Sequence, residues 1–462
     1  MKRILSLCLV LMLLVLCGCQ GTTTESPDGQ TQTETPSLPA LEGTVTISGE
    51  GKEDTPLTAE TSVVDPIYQW NVDGEPVYNA NGATFYVPVN AAGKEITLTV
   101  TAAGFDGALV SNGITAVANP AAFKSMAGML GASKTQGRVF ADPDKPTAMR
   151  IEWPACGFEF NVNAEGGNMK VHYETSYEST LAVFVDGVKL ERPTLMPVPG
   201  GYFFEIPLTA GQHAIKLLRE LEPSTYVGQK QMLLGIEFAG TVEAAPAKSD
   251  LYIEFIGDST VTGSGAAGTF RQGQGFLVTD HSNTSSFAYQ VAQDFGADYS
   301  IVAKGNCGFC SGDVAQKISM TDAYEYLWRW SGEEKYTFNR TPDLIFMKIG
   351  SNDTESAGFS LELFKEGAKA FILNLREIYG DEPYIVWCDR TATGGYLQEQ
   401  YDAMVALQQE LGDAKFFVTS FDYGLDGAGP ATVQIGLPSA QNQRELADKV
   451  TAYLKNTVGF GK

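Results

Sequence analysis

Phe255-Ile256-Gly257-Asp258-Ser259 closes an apolar strand signal, Tyr252 to Ile256, on a glycine, an acid and a hydroxyl. A second apolar run, Leu344 to Ile349, breaks on Gly350-Ser351-Asn352-Asp353. Between and beyond them the spacing turns helical: Phe287 to Phe295, then Phe364, Ala368, Phe371, Leu375 and Ile378 on one face. Tyr384 to Trp387 and Lys415 to Val418 read as strands, with a helix near Leu397 to Leu411. A last helix carries Leu446, Val450 and Tyr453. This alternation predicts a three-layer α/β domain with a parallel sheet over 250–462. Chemistry in such folds lies beyond the C-terminal strand ends.

Both motifs sit at such ends. A serine there projects its hydroxyl into the crevice, and the following helix N-terminus offers backbone N–H groups to a developing oxyanion. An asparagine at the second end donates to the same oxyanion. The pair is far more specific than either motif alone.

Upstream, the period is that of strands. Over 137–247, Met149 to Trp153, Phe158 to Val162, Met169 to Tyr173, Leu181 to Val185, Tyr202 to Ile206 and His213 to Leu217 alternate with glycine turns. They predict an antiparallel β-sandwich of jelly-roll type. Residues 119–136 read as a small, polar linker. Over 41–118, Thr44 to Ile47, Tyr68 to Val72 and Glu95 to Thr101 read as short strands, with a hairpin at Asp73-Gly74. This module resembles the small immunoglobulin-like repeats of bacterial surface proteins, which usually act as spacers; Trp70 would anchor its core.

The first residues speak of export. Lys2 and Arg3 precede the apolar run Ile4 to Leu16, too short to span a bilayer before polar sequence follows. Leu16-Cys17-Gly18-Cys19 resembles a bacterial lipobox, which implies a signal peptide over 1–18 and a lipid on Cys19. Residues 19–40, rich in Thr, Ser, Pro and Gly, read as a disordered tether. The expectation is an extracytoplasmic protein, lipid-anchored to the cell membrane. A net charge of −23, from 55 acidic and 32 basic residues, argues against nucleic acid as a partner.

The two strand-end motifs look like the first and third blocks of the SGNH (GDSL-type) hydrolase superfamily. Trp153-Pro154, Phe184-Val185-Asp186-Gly187, Ala210-Gly211-Gln212-His213 and Gly235-Ile236-Glu237-Phe238 look like the jelly-roll domain of family 2 carbohydrate esterases. The resemblance implies a two-domain acetylxylan-esterase-like enzyme acting on an acetylated polysaccharide or oligosaccharide, with no cofactor and no metal. It implies Ser259 as nucleophile. The Ser259 and Gly308 N–H groups and the Asn352 amide would form the oxyanion hole, with Asp258 and Asp353 supporting the motifs. The second block departs from the family turn, reading Gly305-Asn306-Cys307-Gly308.

The last block departs entirely. Where the family carries His-Pro-Ser, this chain has Leu437-Pro438-Ser439. None of its three histidines, at 172, 213 and 281, follows Asn352. Without a base, a serine hydroxyl is a poor nucleophile near neutral pH. His281, in the loop Thr279-Asp280-His281-Ser282, is either a substitute base or a solvent-exposed loop residue. The expectation is an esterase-like site with weak or absent turnover. The alternative is a non-catalytic glycan-binding or surface scaffold protein. Cys307 and Cys310 have the spacing of a short disulfide or of two separate thiols.

Overall fold

The computed structural model describes residues 38–221, 223, 230–312, 317–355, 359–392, 394–429 and 436–461. The expected signal peptide over 1–18, Cys19 and most of the expected tether lie outside them.

Five parallel strands form the C-terminal sheet: β1 (Tyr252–Gly257), β2 (Asp298–Ala303), β3 (Leu344–Lys348), β4 (Tyr384–Arg390) and β5 (Phe416–Phe421). Their order is β2-β1-β3-β4-β5. The chain order therefore reverses at β1, which opens a crevice between the ends of β1 and β3. Helices α1 (Ser259–Thr262), α2 (Phe287–Asp294), α3 (Leu361–Tyr379), α4 (Gly395–Leu411) and α5 (Ala440–Tyr453) connect and cover the sheet. On α3 the expected stripe is fully buried at Phe364, Ala368, Phe371 and Leu375 and half-buried at Ile378. Strand β2 went unread in the sequence because Asp298 and Ser300 break its apolar pattern. The Asp298 carboxylate is buried against Arg340 (2.9 Å) and Lys134 (3.1 Å), which is why the fold tolerates it there.

The preceding module is antiparallel. Its spine is two long strands, Gly157–Thr175 and Tyr202–Arg219, paired from Gly157↔Leu218 to Tyr173↔Tyr202. Each unites two stretches that read separately in the sequence. Gly166, Gly167 and Gly211, at φ of 100°, 99° and 126°, bend the pair without ending it.

The N-terminal module has two small antiparallel sheets. Val45–Ser48, Pro56–Thr61 and Thr84–Tyr86 form one, and the other is built on Ile67–Val72 and Glu95–Thr101. Trp70 is wholly buried, stacks on Phe85 at 5.2 Å between ring centres, and donates its Nε1–H to the Gly82 carbonyl at 2.8 Å.

The stretch expected as a polar linker is instead folded and buried. It forms a strand at Phe123–Ser125, a helical turn at Met126–Met129 and a strand at Lys134–Gln136. Met126, Met129 and Ala132 are fully buried. Its glycines permit close approach rather than flexibility. A Cβ on Gly128 would lie 2.3 Å from Asp54 Oδ1, and one on Gly131 would lie 2.3 Å from Pro88 Cγ. Further bonds join the modules: Val89 N–H to Gly128 O (3.1 Å), Asn90 Nδ2 to Glu243 O (2.7 Å), and Tyr78 to Tyr336 between hydroxyls (3.0 Å). One apolar cluster runs from Trp70 through Trp153 to Trp330 and Phe371. The N-terminal module is thus packed into the body of the protein.

Candidate active site

Ser259 and Asn352 leave adjacent strands. In the register of β1 and β3, Gly257 pairs with Lys348, so both motifs emerge into the same crevice. Gly257 is required there: a Cβ would lie 2.4 Å from the Lys348 carbonyl. Asp258 caps α1, its Oδ1 accepting the Thr260 N–H at 3.0 Å, and Ser259 opens the helix half-buried. Ser351 donates its hydroxyl to Asp258 Oδ2 at 3.0 Å, joining the first motif to the third.

Asp353 is fully buried and organises the neighbouring turn. Its carboxylate accepts the N–H groups of Phe309 (2.9 Å), Cys310 (3.0 Å) and Ser311 (2.7 Å). Asn352 donates one amide hydrogen to Cys307 O at 3.1 Å, and its second has no partner among the described residues. Gly308 departs from expectation. Its N–H is spent inside its own turn, donating to Ser311 O at 2.9 Å. Of the three expected oxyanion donors this leaves the Ser259 N–H and the second Asn352 hydrogen. The unusual Gly305-Asn306-Cys307-Gly308 turn, with Asn306 at φ 62°, is the cause.

Cys307 and Cys310 are not joined in a disulfide. Desolvation beside the Asp353 carboxylate pushes the Cys310 thiol up to about 12, so it stays protonated at neutral pH.

No side chain among the described residues hydrogen-bonds the Ser259 hydroxyl. Leu437 stands in the segment leading into α5, its N–H donating to Ala428 O at 3.1 Å and its carbonyl accepting from Gly427 at 2.8 Å. His172 pairs with Glu237 at 3.3 Å and His213 with Asp186 at 2.8 Å, both in the antiparallel module. His281 is buried rather than solvent-exposed, at 7% exposure. Its ring packs on Phe276 (4.7 Å), its carbonyl accepts from Arg192, and its Nδ1 has no partner among the described residues. Burial pushes its pKa down to about 4, so it is neutral at pH 7 but not seated on Ser259.

That burial has a testable sign. With a folded pKa below the unfolded value, the unfolded chain binds the extra proton as pH falls. His281 should therefore cost stability between about pH 6.5 and about 4, and nothing above. Thermal midpoints measured across that window should fall, and His281→Asn should flatten part of the slope.

Sequence reading passed over Lys348, which ends the otherwise apolar β3. Its ammonium lies 2.9 Å from Asp258 Oδ2 and 3.2 Å from Asp389 Oδ1 and donates to Ser351 Oγ at 3.0 Å. Burial opposes its charge, yet the two carboxylates hold its pKa well above the usual lysine value. It cannot serve as a base for serine. Burial raises Asp389, the surplus carboxylate, above the usual range. The signal available in the sequence was a lone cation closing a buried run.

No family model matches the chain. Cellulase/esterase CelE of Acetivibrio thermocellus is 26% identical over 331 residues, covering 70% of this chain and 39% of that protein. A family two carbohydrate esterase from Clostridium thermocellum, solved with cellohexaose, superposes with a TM-score of 0.61 at 22% identity, covering 71% of this chain and 99% of its own. The fold is that of the family 2 carbohydrate esterases. The acetyl xylan esterase Est2A from the rumen bacterium Butyrivibrio proteoclasticus agrees, with a TM-score of 0.61 at 18% identity over 73% of this chain and 98% of its own. The resemblance carried by the two strand-end motifs thus extends to the two-domain carbohydrate-esterase architecture. This chain spans only 39% of the length of its curated relative.

Proposed function

We propose that this protein is an exported lipoprotein, acylated on Cys19, that presents a carbohydrate-esterase site for binding acetylated glycans with weak or absent turnover. The observation that carries this reading is the Ser259 hydroxyl. It shares a crevice with the Asn352 amide, on strand ends tied through Asp258 and Ser351, yet no side chain among the described residues hydrogen-bonds it. Loss of one triad member leaves roughly 10³–10⁴-fold catalysis over water, from oxyanion stabilisation and binding alone. The upstream modules take the jelly-roll and immunoglobulin-like roles in this reading, and the acidic tether of 19–40 holds the body away from the membrane. The esterase neighbour solved with cellohexaose supports a sugar ligand.

An exposed aromatic beyond the strand ends is suited to sugar. Tyr396, at the start of α4 beyond the end of β4, is 59% exposed and packs edge-on against Phe359 at 5.2 Å. Pyranose rings stack on such aromatic faces. In gels containing acetylated xylan or hydroxyethyl cellulose, the protein should be retarded, and Tyr396→Ala should weaken binding by about tenfold, roughly 1.4 kcal/mol. Migration of the wild type unaltered by any of these glycans would remove the binding reading.

A further inference from the structure

Three strand ends meet on one buried ammonium. Lys348 closes β3 at 4% exposure, after four fully buried apolar residues. Its Nζ donates to Asp258 Oδ2 at 2.9 Å and to Ser351 Oγ at 3.0 Å, and Ser351 Oγ donates to the same Asp258 oxygen at 3.0 Å. These three groups form a closed triangle. A third arm reaches Asp389 on β4, whose Oδ2 is buried without a partner among the described residues.

The triangle touches the residue before Ser259 and the residue before Asn352. Asp258 has no freedom left: one oxygen caps α1 through Thr260 N–H, and the other is held by Lys348 and Ser351. The direction in which Ser259 leaves the strand is fixed with it. We infer that Lys348 is a positioning residue, setting the separation of the Ser259 hydroxyl from the Asn352 amide. This rests on the reading of those two groups as one acyl site. An apolar residue would fill the space at lower desolvation cost, because buried ions seldom add net stability. What packing cannot supply is direction, and two hydrogen bonds and an ion pair do.

The test combines structure and kinetics in a Leu437→His background. Lys348→Met should change the Ser259 Oγ to Asn352 Nδ2 separation in crystals by about 1 Å. It should lower kcat on 4-nitrophenyl acetate by about 10²-fold, as displacements of that size do, and leave KM within about threefold. An unchanged separation, or lost stability with kcat intact, overturns the proposal. A changed separation in a Leu437→His protein that never turns over supports the positioning role and rejects the esterase reading instead. If Lys348→Met does not fold, Lys348→Met/Asp389→Asn, which removes one stranded carboxylate, replaces it in both measurements.

Discussion

Leu437→His should, on the proposed reading, convert the site into a working esterase, raising hydrolysis of 4-nitrophenyl acetate by about 10²-fold or more. A positioned general base contributes roughly 10²–10⁴-fold by taking the serine proton and returning it to the leaving alcohol. The lower figure applies first, because many family members place an Asp two or three residues before the histidine to orient it, and this chain has Gln434 and Ile435 there. Adding Ile435→Asp should raise turnover further. The backbone is prepared for the change. Pro438 and Ser439 are retained, Ser439 caps α5 by accepting the Asn442 N–H, and the segment is tied to Ala428. Ser259→Ala in the same background should return the rate to that of the starting protein. No gain from either substitution would mean that more than the base is missing, the committed Gly308 N–H being the foremost suspect.

The second large effect lies away from the crevice. Arg138 is fully buried between the antiparallel module and the parallel sheet, 3.5 Å from Glu254 Oε1 and donating to Tyr324 and Tyr326 carbonyls. The rings of Tyr336 (4.3 Å), Tyr324 (4.9 Å) and Phe338 (5.4 Å) surround its guanidinium. Glu254, in the middle of β1, also accepts the hydroxyls of Tyr324 and Tyr379. Arg138→Met strands that carboxylate, and breaking a buried pair from one side costs about 3–5 kcal/mol. The thermal midpoint should fall by on the order of 10 °C. Arg138→Met/Glu254→Gln should recover much of the loss, because the cost is the unpaired charge rather than the missing contact. A double variant no better than the single would place the cost in packing.

What was legible in the sequence was what period and strand-end chemistry encode. The α/β alternation, the α3 stripe from Phe364 to Leu375, and the Gly257-Asp258-Ser259 and Gly350-Ser351-Asn352-Asp353 ends follow from local patterns. What stayed hidden depended on partners distant in the chain. Asp298 concealed a buried strand because its cations, Lys134 and Arg340, come from two other regions. Gly128 and Gly131 imitated a small, polar linker because the atoms that forbid a side chain belong to Asp54 and Pro88. The Gly308 N–H could be assigned to an oxyanion by analogy, but its bond to Ser311 depends on how the local turn closes. Lys348 needed both its carboxylates in view before its burial made sense.

The comparison of wild type with Ser259→Ala, assayed for acetate release from acetylated xylo- or cello-oligosaccharides near pH 7, reaches furthest. Catalytic groups that act as a unit lose almost everything with the first member removed, so a second removal costs little. On the proposed reading, in which Leu437 stands in place of the family's histidine, rates in the two proteins should therefore agree within about threefold. A wild type faster than Ser259→Ala by about 10⁴-fold would show that a proton acceptor does reach Ser259, contradicting a site shaped for an acyl group but stripped of its base.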